Sequence, residues 1–220
     1  MALYCYLKAT PGVKKQFPFL PVGLVTVGLF LVGNAAWPIL AYQLRSIQFR
    51  RQIVAPVASV NIDYTNLRNW FPKSHQLPPR ATKITHYSLS IPKLKIDRAV
   101  VHIGGEDLAQ GLIHYPDTAL PGQYGNTVVF GHSVLPQFFN PKNYKTIFST
   151  LPTLEEGDEI LVDFDGINYR YRVVRMVEVA SDDISILEQQ YDTECLSLVT
   201  CVPPGTYLRR LVVKSKLVPI

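Results

Sequence analysis

The hydrophobic pattern divides the chain into three parts. Residues 17–40 are almost wholly apolar, and no charged residue occurs from Gln16 to Leu44. A helix needs about 20 apolar residues to cross a bilayer, so this stretch predicts a transmembrane helix. Residues 45–85 are polar, contain several prolines and follow no sustained period. They indicate a stalk, with one short helix near residues 60–70.

After His86 the pattern changes to short apolar or alternating runs, rich in Val, Ile, Leu and Tyr and separated by turn residues. Such a series predicts an all-β barrel or sandwich. Asp165-Gly166 between two runs is a hairpin signal. Strands are predicted in residues 87–91, 93–101, 126–130, 159–164, 169–179, 195–201 and 210–217. Short helices are predicted in residues 106–110, 142–151 and 184–190, the last with Ser181, Asp182 or Asp183 as its cap.

The apolar N-terminal segment has two interpretations. It is an uncleaved signal anchor or a removable signal peptide, since Gly33-Asn34-Ala35-Ala36 is a small-residue run. We favour the anchor, because the apolar stretch is longer than the core of about 7–15 residues usual in signal peptides. Basic residues flank the segment almost equally, so charge does not fix its orientation. We expect the N-terminus inside the cell and the large C-terminal part outside.

Composition and cysteine count exclude some classes of protein. The chain has 220 residues, 47% hydrophobic and 18% charged, which supports a folded core. The net charge of +5 comes without a cluster of basic and aromatic residues in the C-terminal region, so nucleic-acid binding is not expected. Cys195 and Cys201 would lie about 20 Å apart in one strand. A disulfide needs Cα atoms within about 7 Å, so these two are not expected to form one.

The strongest chemical signal surrounds Cys201. A predicted strand ends at Thr200-Cys201, a Pro- and Gly-containing loop follows, and the next strand begins with Arg209-Arg210. If the two strands are neighbours, Cys201 and Arg210 face each other at the open end of the hairpin. A cation in that position lowers the pKa of a thiol from about 8.5 and stabilises an oxyanion.

A second signal ends at His132. A glycine-bearing turn leads into the apolar run of residues 126–130, which Gly131-His132 follows. The imidazole is therefore expected at a strand end, where it can form a nucleophile–base pair with the thiol. This interpretation requires that sulfur, imidazole and guanidinium converge on one rim of a barrel, and that a peptide can reach the sulfur.

These stretches together resemble the sortase family over residues 87–217. Sortases carry a TLxTC motif, with Ser197 here in place of the first Thr, a histidine in a stretch like GNxVxxGH, and an arginine that opens the next strand. The resemblance implies an eight-stranded β-barrel with a few short helices, preceded by one transmembrane helix. It implies Cys201 as nucleophile, His132 as general acid/base, Arg210 as the oxyanion-side cation and Thr200 as a substrate-binding residue. Arg209 is the alternative to Arg210, which stands directly before Leu-Val-Val as in the family.

The function implied by the resemblance is that of a membrane-anchored cysteine transpeptidase. It cleaves an LPxTG-like C-terminal sorting signal, bound near residues 180–194, and transfers the protein through a thioester to an amine acceptor. The expected partners are secreted proteins with a sorting signal, an amine acceptor on the cell wall or on a surface protein, and the lipid bilayer. No cofactor and no metal are expected. The regions expected are a cytoplasmic tail (1–16), a signal anchor (17–44), a stalk (45–85) and an extracytoplasmic catalytic barrel (86–220).

Two rival functions stay open. One is a cysteine endopeptidase, in which water resolves the acyl-enzyme, and the other is a catalytically silent, membrane-tethered binding barrel. The subclass of sortase also stays open, between class D-like and class E-like. The short loops and a C-terminus at Ile220 without a second apolar segment disfavour the pilus-polymerising type, which often has a lid.

Other candidate residues have simpler interpretations. Cys195 is expected to be core filler. His75, His86, His102 and His114 are expected to be structural or surface residues, with His114 in a loop that could border the site. The acidic residues considered for calcium lack the spacing of a dedicated binding loop and are expected to be solvated; they are Glu106, Asp107, Asp117, Asp182 and Asp183.

Overall fold

The structure, a computed structural model, describes residues 19–45, 66–70 and 84–219. The chain divides into two compact units, residues 1–37 and 38–220, and the described strands all lie in the second. The predicted cytoplasmic tail, most of the predicted stalk and His75 lie outside the described residues. Of the helix predicted near residues 60–70, the described part is a single 3₁₀ turn, Leu67–Trp70.

Helix α1 spans Phe19–Arg45. Pro38 lies inside α1 and does not end it. Among the described residues, α1 is the one helix long and apolar enough to cross a membrane, over Pro21–Leu44. Side chains of residues 21–35 are all exposed. Exposure of so many apolar side chains is unfavourable in water and favourable in lipid, so α1 is a candidate membrane span.

Eight strands among residues 84–219 close into a barrel, in the spatial order β1-β2-β3-β4-β7-β8-β6-β5. Their bounds are His86–Ile91 (β1), Ile96–Ile103 (β2), Leu112–His114 (β3), Gly125–Phe130 (β4), Glu159–Phe164 (β5), Ile167–Ala180 (β6), Glu194–Val202 (β7) and Arg209–Val218 (β8). The predicted barrel is confirmed. The strand predicted from residue 93 begins later because Pro92–Leu94 form a 3₁₀ turn, and β3 is missed because three residues are too few to show a period.

The predicted hairpin at Asp165-Gly166 is confirmed. Phe164 pairs with Ile167, so the loop has two residues. Both loop residues have positive φ, 55° at Asp165 and 73° at Gly166. That combination is the one that a type I′ turn requires.

The predicted short helices are wrong in two of three places. Residues 106–110 contain an isolated bridge at Asp107 followed by a turn, and residues 142–150 form turns before a 3₁₀ turn at Leu151–Thr153. In the first, the Asp107 carboxylate accepts the backbone N–H of Ala109, a local bond that competes with helical pairing. The third prediction is confirmed in part, as a 3₁₀ turn at Ile184–Leu187 whose cap is Asp183.

Two hydrophobic clusters bury the two faces of β7. The interior cluster takes residues from all eight strands, among them Leu196 and Leu198 of β7. The outer cluster contains Val199 and Cys201 of β7, covered by residues from loops and from the segment before the barrel. Because alternate residues of a strand point to opposite faces, burial on both sides explains why residues 195–202 read as a nearly continuous apolar run. The outer cluster also contains the candidate site.

Candidate active site

Antiparallel pairing of β7 with β8 places Cys201 directly opposite Arg210. Nη1 of Arg210 lies 3.4 Å from Sγ of Cys201, so the guanidinium is in contact with the thiol. Neighbouring residues of a strand point to opposite faces, and Arg209 instead forms an ion pair with the buried carboxylate of Glu178 at 3.2 Å. The structure therefore brings Arg210, and not Arg209, to Cys201.

Parallel pairing of β4 with β7 brings the segment that contains His132 to the same end of the barrel. The strands pair in register up to Phe130 and Val199. One residue further along, the N–H of Gly131 donates to the carbonyl of Val199 at 3.1 Å. Because the two strands run in the same direction, the residues that follow each strand leave the sheet at the same edge. His132 and Cys201 therefore lie at the same edge of the sheet.

Two hydroxyl groups tie this segment to β7 on both sides of His132. Thr200 Oγ1 donates to the carbonyl of Gly131 at 2.8 Å. Ser133 Oγ donates to the carbonyl of Cys201 at 2.6 Å. Thr200 is fully buried, so in this geometry its hydroxyl positions protein backbone. The contact of Thr200 with substrate stays a prediction.

Trp70 completes the site from outside the barrel. The guanidinium carbon of Arg210 lies 4.4 Å from the centroid of the indole ring, a cation–π contact. The rings of Trp70 and His132 are 6.4 Å apart between centroids, and Trp70 is only 1% exposed. Trp70 was not predicted as a site residue. The available signal is a single tryptophan within residues 45–85, a stretch that follows no sustained period.

Residues 66–70, which we call the covering segment, are held against the barrel by backbone and apolar contacts. The N–H of Leu67 donates to the carbonyl of Glu106 at 3.0 Å. Asn66 forms an isolated antiparallel bridge with Asp107. Leu67 and Trp70 are both members of the outer cluster. The covering segment thus adds a layer over the face of β7 that carries Cys201.

Burial controls the ionisation of Cys201. The residue is 1% exposed, and this burial raises the pKa of the thiol to about 11, although the charge of Arg210 acts to lower it. The thiolate is the nucleophilic form of cysteine, so the thiol of the covered site is protonated and unreactive at neutral pH.

His114 belongs to the barrel interior and does not lie in a loop as predicted. It is the last residue of β3. Its Nδ1 is 3.0 Å from the hydroxyl of Tyr87 and its Nε2 is 3.1 Å from Thr118 Oγ1. Burial lowers the pKa of His114 to about 4, so the ring is neutral at physiological pH. A structural role fits these contacts.

The prediction that Cys195 is core filler is wrong, because its side chain is half-buried at the start of β7.

Within residues 19–45, 66–70 and 84–219, no three side chains of His, Cys, Asp or Glu gather closely enough to hold a metal ion. Two of the acidic residues considered for calcium have local partners. Asp107 accepts from Gln110 Nε2, and Asp183 accepts from the N–H of Ser185.

Comparison with known proteins finds similarity across the barrel. A family model described as the sortase domain matches residues 89–218. Sortase D of Bacillus subtilis is 31% identical over 116 residues, which cover 52% of this chain and 53% of that protein. The chain spans about half the length of the curated relatives it matches.

Solved structures agree with the family match. A Clostridium perfringens Sortase D5 transpeptidase has 25% identity and a TM-score of 0.53, covering 61% of this chain and 79% of that one. A lid mutant of sortase A from Corynebacterium diphtheriae has 25% identity and a TM-score of 0.54, covering 83% of this chain and 92% of that one.

Proposed function

Because the chain belongs to the sortase family, we propose that it is a membrane-anchored cysteine transpeptidase with its catalytic barrel outside the cell. Cys201 is the nucleophile, His132 the general acid/base and Arg210 the cation beside the oxyanion. The observation that carries this proposal is the 3.4 Å contact between Arg210 Nη1 and Cys201 Sγ. The candidate membrane span in α1 supports the anchor.

In the first half-reaction the Cys201 thiolate attacks a backbone carbonyl carbon of an LPxTG-like sorting signal. The C–S bond forms as a tetrahedral oxyanion develops, which Arg210 stabilises. The C–N bond to the following residue then breaks, and His132 donates a proton to the departing amine. The product is a thioester between Cys201 and the shortened secreted protein.

In the second half-reaction a primary amine attacks the thioester carbonyl. His132 accepts a proton from this amine, the new amide bond forms, and the C–S bond breaks to return the Cys201 thiolate beside protonated His132. The amine belongs to a cell-wall peptide or to a surface protein.

The loop between β6 and β7 forms one side of the binding site for the sorting signal. Ile186 of this loop is buried in the outer cluster together with Cys201. A peptide whose carbonyl reaches Cys201 therefore passes next to this loop. Secreted proteins that carry such a signal are the substrates.

The covering segment acts as a lid. The Corynebacterium diphtheriae structure and a structure of Streptococcus agalactiae sortase C1 are both of lid mutants, so lids occur among the relatives. In this chain Trp70 occupies the space over Arg210 through which a peptide reaches the thiol. Displacement of Trp70 exposes the sulfur and removes the burial that raises its pKa.

The test uses the full chain in detergent, a set of LPxTG-like peptides and a primary amine, with mass spectrometry of the products. We expect a ligated peptide with the wild type and none with Cys201→Ala. Hydrolysed peptide without ligated product would identify an endopeptidase instead. Absence of any product from both the wild type and a Trp70→Ala variant would indicate a silent binding barrel.

A further inference from the structure

The side-chain amide of Gln189 ties the β6–β7 loop to β4. Its Oε1 accepts the N–H of Asn126 at 2.9 Å and that of Ala119 at 3.3 Å. Its Nε2 donates to the carbonyls of Asn126 and Leu187, both at 3.0 Å. A glutamine amide offers two donors and two acceptor sites, so all four are used in these bonds.

Gln189 pairs with the first half of β4. β3 pairs with β4 at Phe130 and Val129, and no strand in the part of the chain that the structure describes pairs with the first half of β4 on that side. Unpaired backbone groups are costly to bury. The amide of Gln189 bonds both the N–H and the carbonyl of Asn126, as a neighbouring strand would.

The side chain of Asn126 adds a second tie to the same loop. Its Nδ2 donates to the carbonyl of Ile186 at 3.2 Å, and its Oδ1 accepts from Ser197 Oγ of β7 at 2.7 Å. We call Gln189 and Asn126 together the loop clip. It holds the loop at Ile186, Leu187 and Gln189.

Gly125 provides the space for Gln189. Its φ is +126°, and a Cβ there would lie 2.9 Å from Gln189 Oε1 and 2.8 Å from the Cβ of Ala119. Any other residue at this first position of β4 would be strained at that φ, and its Cβ would be too close to Gln189 and Ala119. Glycine at position 125 therefore allows the loop clip to form.

The clip matters for function because the loop borders Cys201. Ile186 packs with Cys201 in the outer cluster, whereas Ile184 and Tyr191 of the same loop are exposed and can contact a peptide. A loop that is ordered before binding loses less conformational entropy when the ligand arrives. We propose that Gln189 is a positioning residue that pre-orders the β6–β7 loop and so sets the affinity for the sorting signal; this rests on the proposed function.

The test compares Gln189→Ala with Gln190→Ala in the full chain. Gln190 is the exposed neighbour of Gln189 and takes the same substitution. For Gln189→Ala we expect amide hydrogen exchange in residues 184–193 to rise about tenfold, since loss of a hydrogen-bonded tie lowers the local opening free energy. KM for the sorting peptide should rise about tenfold, with kcat within about twofold. Gln190→Ala should match the wild type in loop exchange, and Gln123→Ala, which changes an exposed glutamine of the loop before β4, should match it in KM and kcat.

Gln189→Glu separates the clip from general stability. The carboxylate has nearly the same shape and keeps the acceptor, but it cannot donate to the carbonyls of Asn126 and Leu187. Gln189→Glu should therefore raise both the hydrogen exchange of the loop and KM. If Gln189→Ala instead unfolds the protein, exchange will be faster throughout β1, and Gln189→Glu still tests the proposal. Wild-type exchange in the loop of Gln189→Glu, or a loss confined to kcat, would overturn the proposal.

The exchange and kinetic measurements together distinguish failure of this proposal from failure of the proposed function. If the wild type processes no sorting peptide, the transpeptidase assignment fails while the exchange comparison still decides whether Gln189 orders the loop. If the wild type turns over and Gln189→Ala loosens the loop without raising KM, the link between the clip and affinity is wrong and the transpeptidase assignment stands.

Discussion

Cys195 and Cys201 lie on the same face of β7, and both face a basic residue of β8, yet their surroundings differ. Cys195 pairs with Lys216 and Cys201 with Arg210. Cys195 is half-buried with Thr193 Oγ1 3.3 Å from its sulfur. Cys201 is 1% exposed. A thiol opposite a cation in a strand ladder is therefore not enough to make a candidate site.

The difference comes from what else meets each end of β7. Because β4 and β7 are parallel, Cys195 lies beside the start of β4, at Asn126, whereas Cys201 lies beyond the end of the shared ladder. That end is followed by His132 and is covered by Trp70. Cys201 differs from Cys195 because the segment that contains His132 and the covering segment both meet β7 at the Cys201 end.

The largest expected effect is the difference in activity between alanine substitutions of the two cysteines. Cys201→Ala should lower kcat/KM at least about 10⁴-fold, because removal of a nucleophile removes the covalent route. Cys195→Ala should stay within about twofold, since a half-buried thiol without a catalytic partner adds little. Ligation rates measured by mass spectrometry check both. Equal losses in the two variants would contradict the comparison.

The two arginines give the next largest effect. Arg210→Lys keeps the charge but loses the planar group that contacts Cys201 and stacks on Trp70, so kcat should fall about 10²-fold. Arg209→Lys keeps a cation beside Glu178 and should stay within about threefold. Steady-state kinetics of both variants, with melting temperatures as a control for folding, check this. A larger loss in Arg209→Lys would move the oxyanion role to that residue.

The interior of the barrel could be predicted from the sequence, and the part of the outer cluster that lies outside the strands could not. Alternation at period two marks a strand with one buried face, as in β1 and β5. The outer cluster instead takes Leu67, Leu108 and Ile186 from three non-strand segments. Their proximity depends on tertiary packing, which leaves no periodic signal.

The same division applies to the site. Cys201, His132 and Arg210 stand at the ends of predicted strands in a recognisable order, so their convergence could be predicted. Trp70 stands in a polar segment without period, and the short-helix prediction there carried no chemistry. A burial strong enough to raise the Cys201 pKa to about 11 was not expected either, because it depends on tertiary packing of the outer cluster.

Removal of Trp70 should make Cys201 more reactive, in contrast to the losses above. At a fixed pH below the pKa of a thiol, each unit by which that pKa falls raises the thiolate fraction about tenfold. Trp70→Ala reduces the burial that raises the Cys201 pKa to about 11. Mixed-disulfide formation with a methanethiosulfonate reagent at pH 8, with methanesulfinate as leaving group, should therefore be about tenfold faster, with the midpoint of the pH–rate curve moved to lower pH.

The control for this measurement is Trp37→Ala, which changes the chain's other tryptophan, an exposed residue of α1. Both variants are made in a background where Cys5 and Cys195 are serine, so that Cys201 is the one thiol present. An unchanged rate in Trp70→Ala would show that the covering segment does not limit access. Equal acceleration by Trp37→Ala would contradict a local cause.

The smallest effect is expected from the hydroxyl groups beside the two cysteines. Ser133 Oγ donates to the Cys201 carbonyl at 2.6 Å and so helps to hold His132, whereas Thr193 Oγ1 lies beside Cys195. Loss of one such hydrogen bond costs about 1 kcal/mol, so Ser133→Ala should lower kcat about fivefold and Ser133→Thr, which keeps the hydroxyl, should restore most of it. Thr193→Val should leave kcat unchanged. If Ser133→Ala shifts only the melting temperature, or if Thr193→Val lowers kcat as much, the hydroxyl next to His132 has no special role. The two ends of β7 would then differ in burial alone.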